Sequence, residues 1–90
     1  MVRSAIYEVR LLCEVSDELG NLETHIFFDL ARDIDSLAFA PRREDAEDLG
    51  EGFWLLRSGD FAIVYRIEDD RMVVVIVKVG RQAEILGESS

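Results

Sequence analysis

The stretch that decides the fold is Phe53–Val79, FWLLRSGDFAIVYRIEDDRMVVVIVKV. Three apolar runs rich in Val, Ile, Phe and Tyr are separated by Ser58-Gly59 and by Asp69-Asp70, the pattern of an antiparallel three-strand meander. It predicts strands at Phe53–Arg57, Phe61–Ile67 and Met72–Val79, with Gly80 closing the last. Two-residue turns would pair Leu56 with Phe61, Trp54 with Ile63, Ile67 with Met72 and Tyr65 with Val74. One face then carries Trp54, Leu56, Phe61, Ile63, Tyr65, Ile67, Met72, Val74, Ile76 and Lys78. The other carries Phe53, Leu55, Arg57, Ala62, Val64, Arg66, Val73, Val75, Val77 and Val79. Both are mainly apolar, and one layer of helices covers only one of them, most naturally the aromatic-rich first. The second is left for the tail, a partner or another copy of the chain.

Upstream, Ser4–Leu12 is rich in β-formers and reads as a first strand. Val15 and Leu19, four apart, suit a short helix over Cys13–Asn21 that ends near Gly20. In Glu23–Ala38, Ile26, Phe27, Leu30, Ile34 and Leu37 recur at helical spacing with Asp29, Arg32, Asp33 and Asp35 around the outside. Thr24 is its candidate cap, and the Ala40-Pro41 step ends it, because the residue before proline is pushed out of the α region. Arg42–Gly52 has no periodicity and reads as a solvated loop. The expected architecture is α+β, in the order β-α-α-β-β-β: an antiparallel meander with two helices on one face, one domain over residues 1–90 with a partly flexible tail from Arg81.

Nineteen acidic residues face ten basic ones, a net charge of −9. Such a chain is repelled by nucleic acid and by anionic membranes unless a local basic patch intervenes, so neither is an expected partner. No run reaches the ~18 apolar residues of a membrane span, and the N-terminus lacks a signal peptide's apolar region, so a cytoplasmic location is expected. The single cysteine, Cys13, makes no internal disulfide and reads as a small apolar filler. His25 is the only histidine and lacks the second ligand group of a metal site, so no metal or cofactor is expected. Tyr65 falls on the helix-covered face and reads as core. Asp69-Asp70 reads as a hairpin turn.

The ordered set of motifs resembles the RelE/ParE toxin superfamily of type II toxin–antitoxin modules. Tyr7-Glu8-Val9-Arg10-Leu11 is similar to that family's opening strand, and Pro41-Arg42 stands where its "PR" follows the second helix. Leu55–Tyr65 resembles its "YRLRVGDYRVIY" segment, and Val79-Gly80-Arg81 its "VGHR" or "VGKR". The resemblance implies the fold above and, for RelE-type members, ribosome-dependent mRNA cleavage. That chemistry needs cations on the RNA backbone and groups that move protons at the 2′-hydroxyl and the leaving oxygen. Position by position, the family's strand lysines are Phe53 and Leu55 here, its next arginine is Ala62, and its C-terminal arginine and tyrosine are Gln82 and Leu86. Its basic loop reads Glu47-Asp48.

Arg57 and Arg81 are the residual catalytic candidates, with Arg42 and Arg43 outlying. The reading that follows is a toxin-fold protein acting by protein–protein contact with an antitoxin-like segment, a cellular target or its own copy. Its contact face would be Phe53, Leu55, Ala62, Val64, Val73, Val75, Val77 and Val79. The alternatives are an active mRNA endoribonuclease and an inactive scaffold that forms a homodimer.

Overall fold

A computed structural model describes residues 6–87. Along them run β1 (Glu8–Leu11), α1 (Cys13–Gly20), α2 (Thr24–Ser36), β2 (Ala46–Gly50), β3 (Phe53–Ser58), β4 (Phe61–Glu68), β5 (Val73–Arg81) and α3 (Gln82–Leu86). The five strands form one sheet in the order β1-β5-β4-β3-β2. It is antiparallel except that β1 lies parallel to β5, pairing Glu8 with Val73 through Leu11 with Ile76. The fold is α+β, as the sequence implied. Ser4 and Ala5 of the expected first strand, and the last three residues of the tail, lie outside the described residues.

Both hairpins close two residues away from the expected register. Ser58 stays in the ladder opposite Phe61, so the first turn is Gly59-Asp60, with Gly59 at φ +60° in the first central position. The second connection is longer. A turn of 3-10 helix over Asp69–Arg71 is followed by Met72 at φ +55°, and Glu68 then pairs with Val73. Leu56 therefore faces Ile63, Trp54 faces Tyr65, Ile67 faces Val74 and Tyr65 faces Ile76. A slip of two leaves every side chain on its expected face, since alternation has a period of two.

An extra residue in β5 does change a face. Tyr65 is opposite Ile76 but Val64 is opposite Lys78, which leaves Val77 unpaired in a bulge. Beyond it the alternation inverts. Val79 joins Ile63 in the core, 1% exposed, and Lys78 lies beside Val64 on the outer face. The expectation that Val79 sits on the contact face and Lys78 on the helix face is corrected by this bulge.

β2 replaces the expected loop. Its residues pair antiparallel with β3, Ala46 with Leu56 and Asp48 with Trp54, and it turns back through Gly50, Glu51 and Gly52, all at positive φ. The side chain of Asp48 accepts a hydrogen bond from the Gly50 N–H at 2.8 Å and steadies that turn. Two smaller expectations also change. Glu23, not Thr24, occupies the N-cap position of α2, and no side chain caps it. Cys13 is exposed at the first position of α1 rather than buried.

The core lies between one sheet face and the pair α1–α2. Val15 and Leu19 of α1 and Leu30 and Ile34 of α2, with Leu37 just beyond it, meet Leu56, Phe61, Ile63, Tyr65, Ile67, Val74, Ile76 and Val79. Each fully buried aliphatic chain here contributes about 1.5–3 kcal/mol. Tyr65 is the largest, completely buried, and its hydroxyl donates to the Pro41 carbonyl at 2.6 Å. Burial pushes its pKa up to about 12, so the phenol remains a donor at physiological pH.

A second tie starts from the very next residue, Arg42. Asp69 accepts from the Tyr7 hydroxyl at 2.6 Å and from both Arg42 terminal nitrogens, at 3.0 and 2.5 Å. The Arg42 guanidinium also lies 5.9 Å from the Trp54 ring centre. The residue expected to serve only as a turn thus joins the start of β1, the loop after α2 and the β4–β5 connection. Arg42 first, then Tyr7, draw the Asp69 carboxyl down to about 2.

Two outcomes follow. Tyr65→Phe leaves the Pro41 carbonyl without its donor and lowers stability by about 1–3 kcal/mol, read as a lower denaturant midpoint at unchanged slope. Asp69 has its pKa depressed in the fold, so its contribution is present above the unfolded value and lost as pH falls. Wild-type stability therefore declines as pH drops from the ordinary carboxylate value of 3.8 toward 2, and Asp69→Asn shows a shallower decline over that window in denaturation series.

Candidate functional site

The outer sheet face is built by the side chains that β1 and β3–β5 turn away from the helices. Across it run the rungs Phe53–Arg66–Val75, Leu55–Val64–Lys78 and Arg57–Ala62–Gly80. The structure divides the expected contact residues. Leu55, Ala62 and Val73 are buried, at 1%, 0% and 4% exposed, and Val79 belongs to the opposite side. Phe53, Val64, Val75 and Val77 are half-buried and form the apolar surface that remains.

The reasons are local. Because β2 pairs outside β3, Leu55 has a neighbouring strand on both sides, and Glu47 lies directly opposite it. Val73 sits between Glu8 and Glu68, each in an ion pair, with Arg10 at 2.7 Å and Arg71 at 3.0 Å. Ala62 lies beside Gly80, over which α3 places Ile85. A Cβ added at Gly80 would meet the Ile85 side chain at 3.6 Å, ordinary contact distance. The tail thus covers one end of the face and leaves the middle open.

The basic residues do not converge. Arg57 pairs with Glu47 of β2. The Arg66 guanidinium lies 5.6 Å from the centre of the Phe53 ring, directly across the ladder. Arg81 is opposite Phe61 and stacks on its ring at 5.4 Å, while Arg57 is opposite Ala62 one rung away. The two residual catalytic candidates therefore project from opposite faces of the sheet. Arg42 is committed to Asp69, and Arg43 to Asp45 at 2.7 Å, to Asp33 and to the Ser36 hydroxyl. Two basic residues of the outer face, Arg66 on the Phe53 ring and Lys78, form no ion pair among the described residues.

No group of three or more His, Cys, Asp or Glu gathers to hold a metal among the described residues. No described helix is long and apolar enough to cross a membrane. The site is a protein surface with an apolar centre and tethered charges.

A five-stranded sheet closed by its first strand against its last, with a helical pair on one face, defines the RelE/ParE class of toxin folds. The family described as ParE toxin of type II toxin–antitoxin system, parDE, matches residues 10–86, and the chain belongs to it. Among solved structures it is similar to the RelBE2 toxin–antitoxin complex of Mycobacterium tuberculosis. Identity there is 26% and the TM-score 0.77, over 90% of this chain and 97% of that one. It is also similar to the archaeal RelE–RelB complex of Pyrococcus horikoshii, at 25% identity and a TM-score of 0.78, over 86% and 96% of the two chains. The isolated RelE toxin of E. coli shares the fold at 19% identity and a TM-score of 0.75, over 90% and 92%. A comparison with curated proteins finds no match.

The division of the face is directly measurable. Val75→Glu and Val77→Glu leave the fold intact, because their side chains reach water. Leu55→Glu and Val79→Glu each cost about 3 kcal/mol or more, because they bury a carboxyl among aliphatic neighbours. Far-ultraviolet circular dichroism with thermal melts of the four variants separates the two classes.

Proposed function

We propose that this chain is a toxin-fold protein of a type II toxin–antitoxin module that works by protein–protein contact through Phe53, Val64, Val75 and Val77. An antitoxin segment is its first partner, and it does not cleave mRNA. One observation carries the reading: the arginines that a phosphate-binding site would use are each engaged within the chain, and the two best placed lie on opposite faces. Transition-state charge on a phosphorane needs convergent, preorganised cations. A net charge of −9 also opposes approach to RNA. The apolar centre of the face suits a partner's hydrophobic side chains, and two of the similar structures above are complexes named for a toxin and an antitoxin.

Inducible expression in bacteria is the test. Wild type is expected to arrest growth, Val75→Glu to relieve the arrest while remaining folded, and ribosome-bound mRNA to stay intact in both. Cleavage of that mRNA, abolished by Arg57→Ala or Arg81→Ala, would overturn the proposal in favour of the endoribonuclease. Light scattering addresses self-association. A monomer is expected; a dimer that Val75→Glu converts to a folded monomer would instead make the face a homodimer surface.

A further inference from the structure

The outer face has a charge balance unlike that of the chain as a whole. Its strand carboxylates Glu8, Glu47 and Glu68 are neutralised by Arg10, Arg57 and Arg71 in turn. Arg66 and Lys78 are left over, both exposed. Against them stands Glu84 of α3, beside Gly80 at the covered end of the face. Among the described residues, two cations and one carboxylate of this face are thus without an ion pair, in a chain of net charge −9.

The ladder fixes where the two cations stand. Arg66 is opposite Val75 and Lys78 is opposite Val64, so the cations take one diagonal of a four-residue block and the valines the other. Diagonal neighbours in such a ladder are about 7–8 Å apart. Lys78 is here because of the bulge: without the extra residue at Val77, its side chain would point at the helices. Arg66 is held from the other side by the Phe53 ring, and a guanidinium resting on a ring keeps its in-plane donors available. The half-buried valines between them supply the apolar contact.

We propose that the partner segment received by this face is acidic as well as apolar. It is a helix whose aliphatic side chains lie on Val64, Val75 and Val77 and whose two carboxylates, four residues apart, meet Arg66 and Lys78. The inference rests on the reading that the face is a protein contact surface, and it adds the chemistry of the occupant. Charge complementarity selects that occupant. The chain as a whole repels an acidic segment, so the two cations give it an address as well as affinity. Glutamates four apart on a helix have Cβ atoms about 5–6 Å apart, and their side chains span the diagonal. A nucleic-acid strand is the other anionic polymer, but it holds to such surfaces by stacking bases on aromatic rings. Phe53 is the strands' one aromatic on this face, and Arg66 already lies against it.

The probe is a synthetic alanine-rich helix with leucines along one side and two glutamates four residues apart beside them, titrated calorimetrically with its glutamine counterpart. The glutamate peptide is expected to bind about tenfold more tightly. Bulk attraction would give the reverse order, because the net charge repels it. Arg66→Gln and Lys78→Gln are each expected to weaken the glutamate peptide about threefold and to leave the glutamine peptide unchanged. Arg32→Gln removes the same charge from an exposed position of α2 and is expected to change binding less than about 1.5-fold. Equal losses in Arg32→Gln and Lys78→Gln would overturn the proposal, as would displacement of the peptide by a uridine oligonucleotide or no binding of either peptide. Equal affinity for both peptides, abolished by Val75→Glu, would overturn the acidic preference and leave the contact face standing. Growth arrest is measured separately, so failure of the functional reading is distinguishable from failure here.

Discussion

The fold depends on Tyr65. Its ring fills the centre of the core at no exposure, and its hydroxyl reaches through to the Pro41 carbonyl. That single bond fastens the segment that leaves the helical layer to the middle strand of the sheet. Proline cannot continue α2, so the chain must turn away here, and its carbonyl would otherwise be buried without a donor. With Pro41 anchored, the two arginines that follow are delivered to opposite tasks. Arg42 reaches the β4–β5 connection, and Arg43 reaches back to α2 and forward to the start of β2. Shape and charge are coupled at one point.

The same economy governs the outer face. In a protein with nineteen acids, each of Arg10, Arg42, Arg43, Arg57 and Arg71 finds a carboxylate. Exposed pairs of this kind are individually weak. Their effect is to hold the charged rim in place around half-buried valines, so that the centre of the face is apolar and the edges are neutralised.

Much of this was legible from residue pattern. The helical spacing of Ile26, Leu30, Ile34 and Leu37 and the three β-rich runs after Phe53 led to the right class, and Tyr65 was recognisable as core. β2 was not, because Ala46–Gly50 contains no strong β-former; its pairing is made by backbone groups that any sequence supplies. The glycines at 50 and 52 around Glu51 were the available signal of a tight turn. Missing that strand made Leu55 look accessible. The bulge at Val77 was equally hidden. In a run of Val and Ile, no side chain marks where alternation slips, so Val79 was assigned to the wrong side. The arginines were visible, but their partners were not: Arg57 with Glu47 and Arg42 with Asp69 are distant in sequence and meet only in the fold.

The parallel pairing of β1 with β5 has a consequence in time. Glu8 is among the first described residues to form secondary structure, yet its partner Val73 belongs to the last strand. The hairpins β2–β3 and β3–β4 close over short loops and can assemble locally. The N-terminal strand must wait with Val9 uncovered, and such long-range closure is intrinsically slow. No chain that lacks Val73–Arg81 can therefore present the finished sheet. In this member of the family, the fold itself delays completion of the sheet until the strand that joins β1 to β4 has been made.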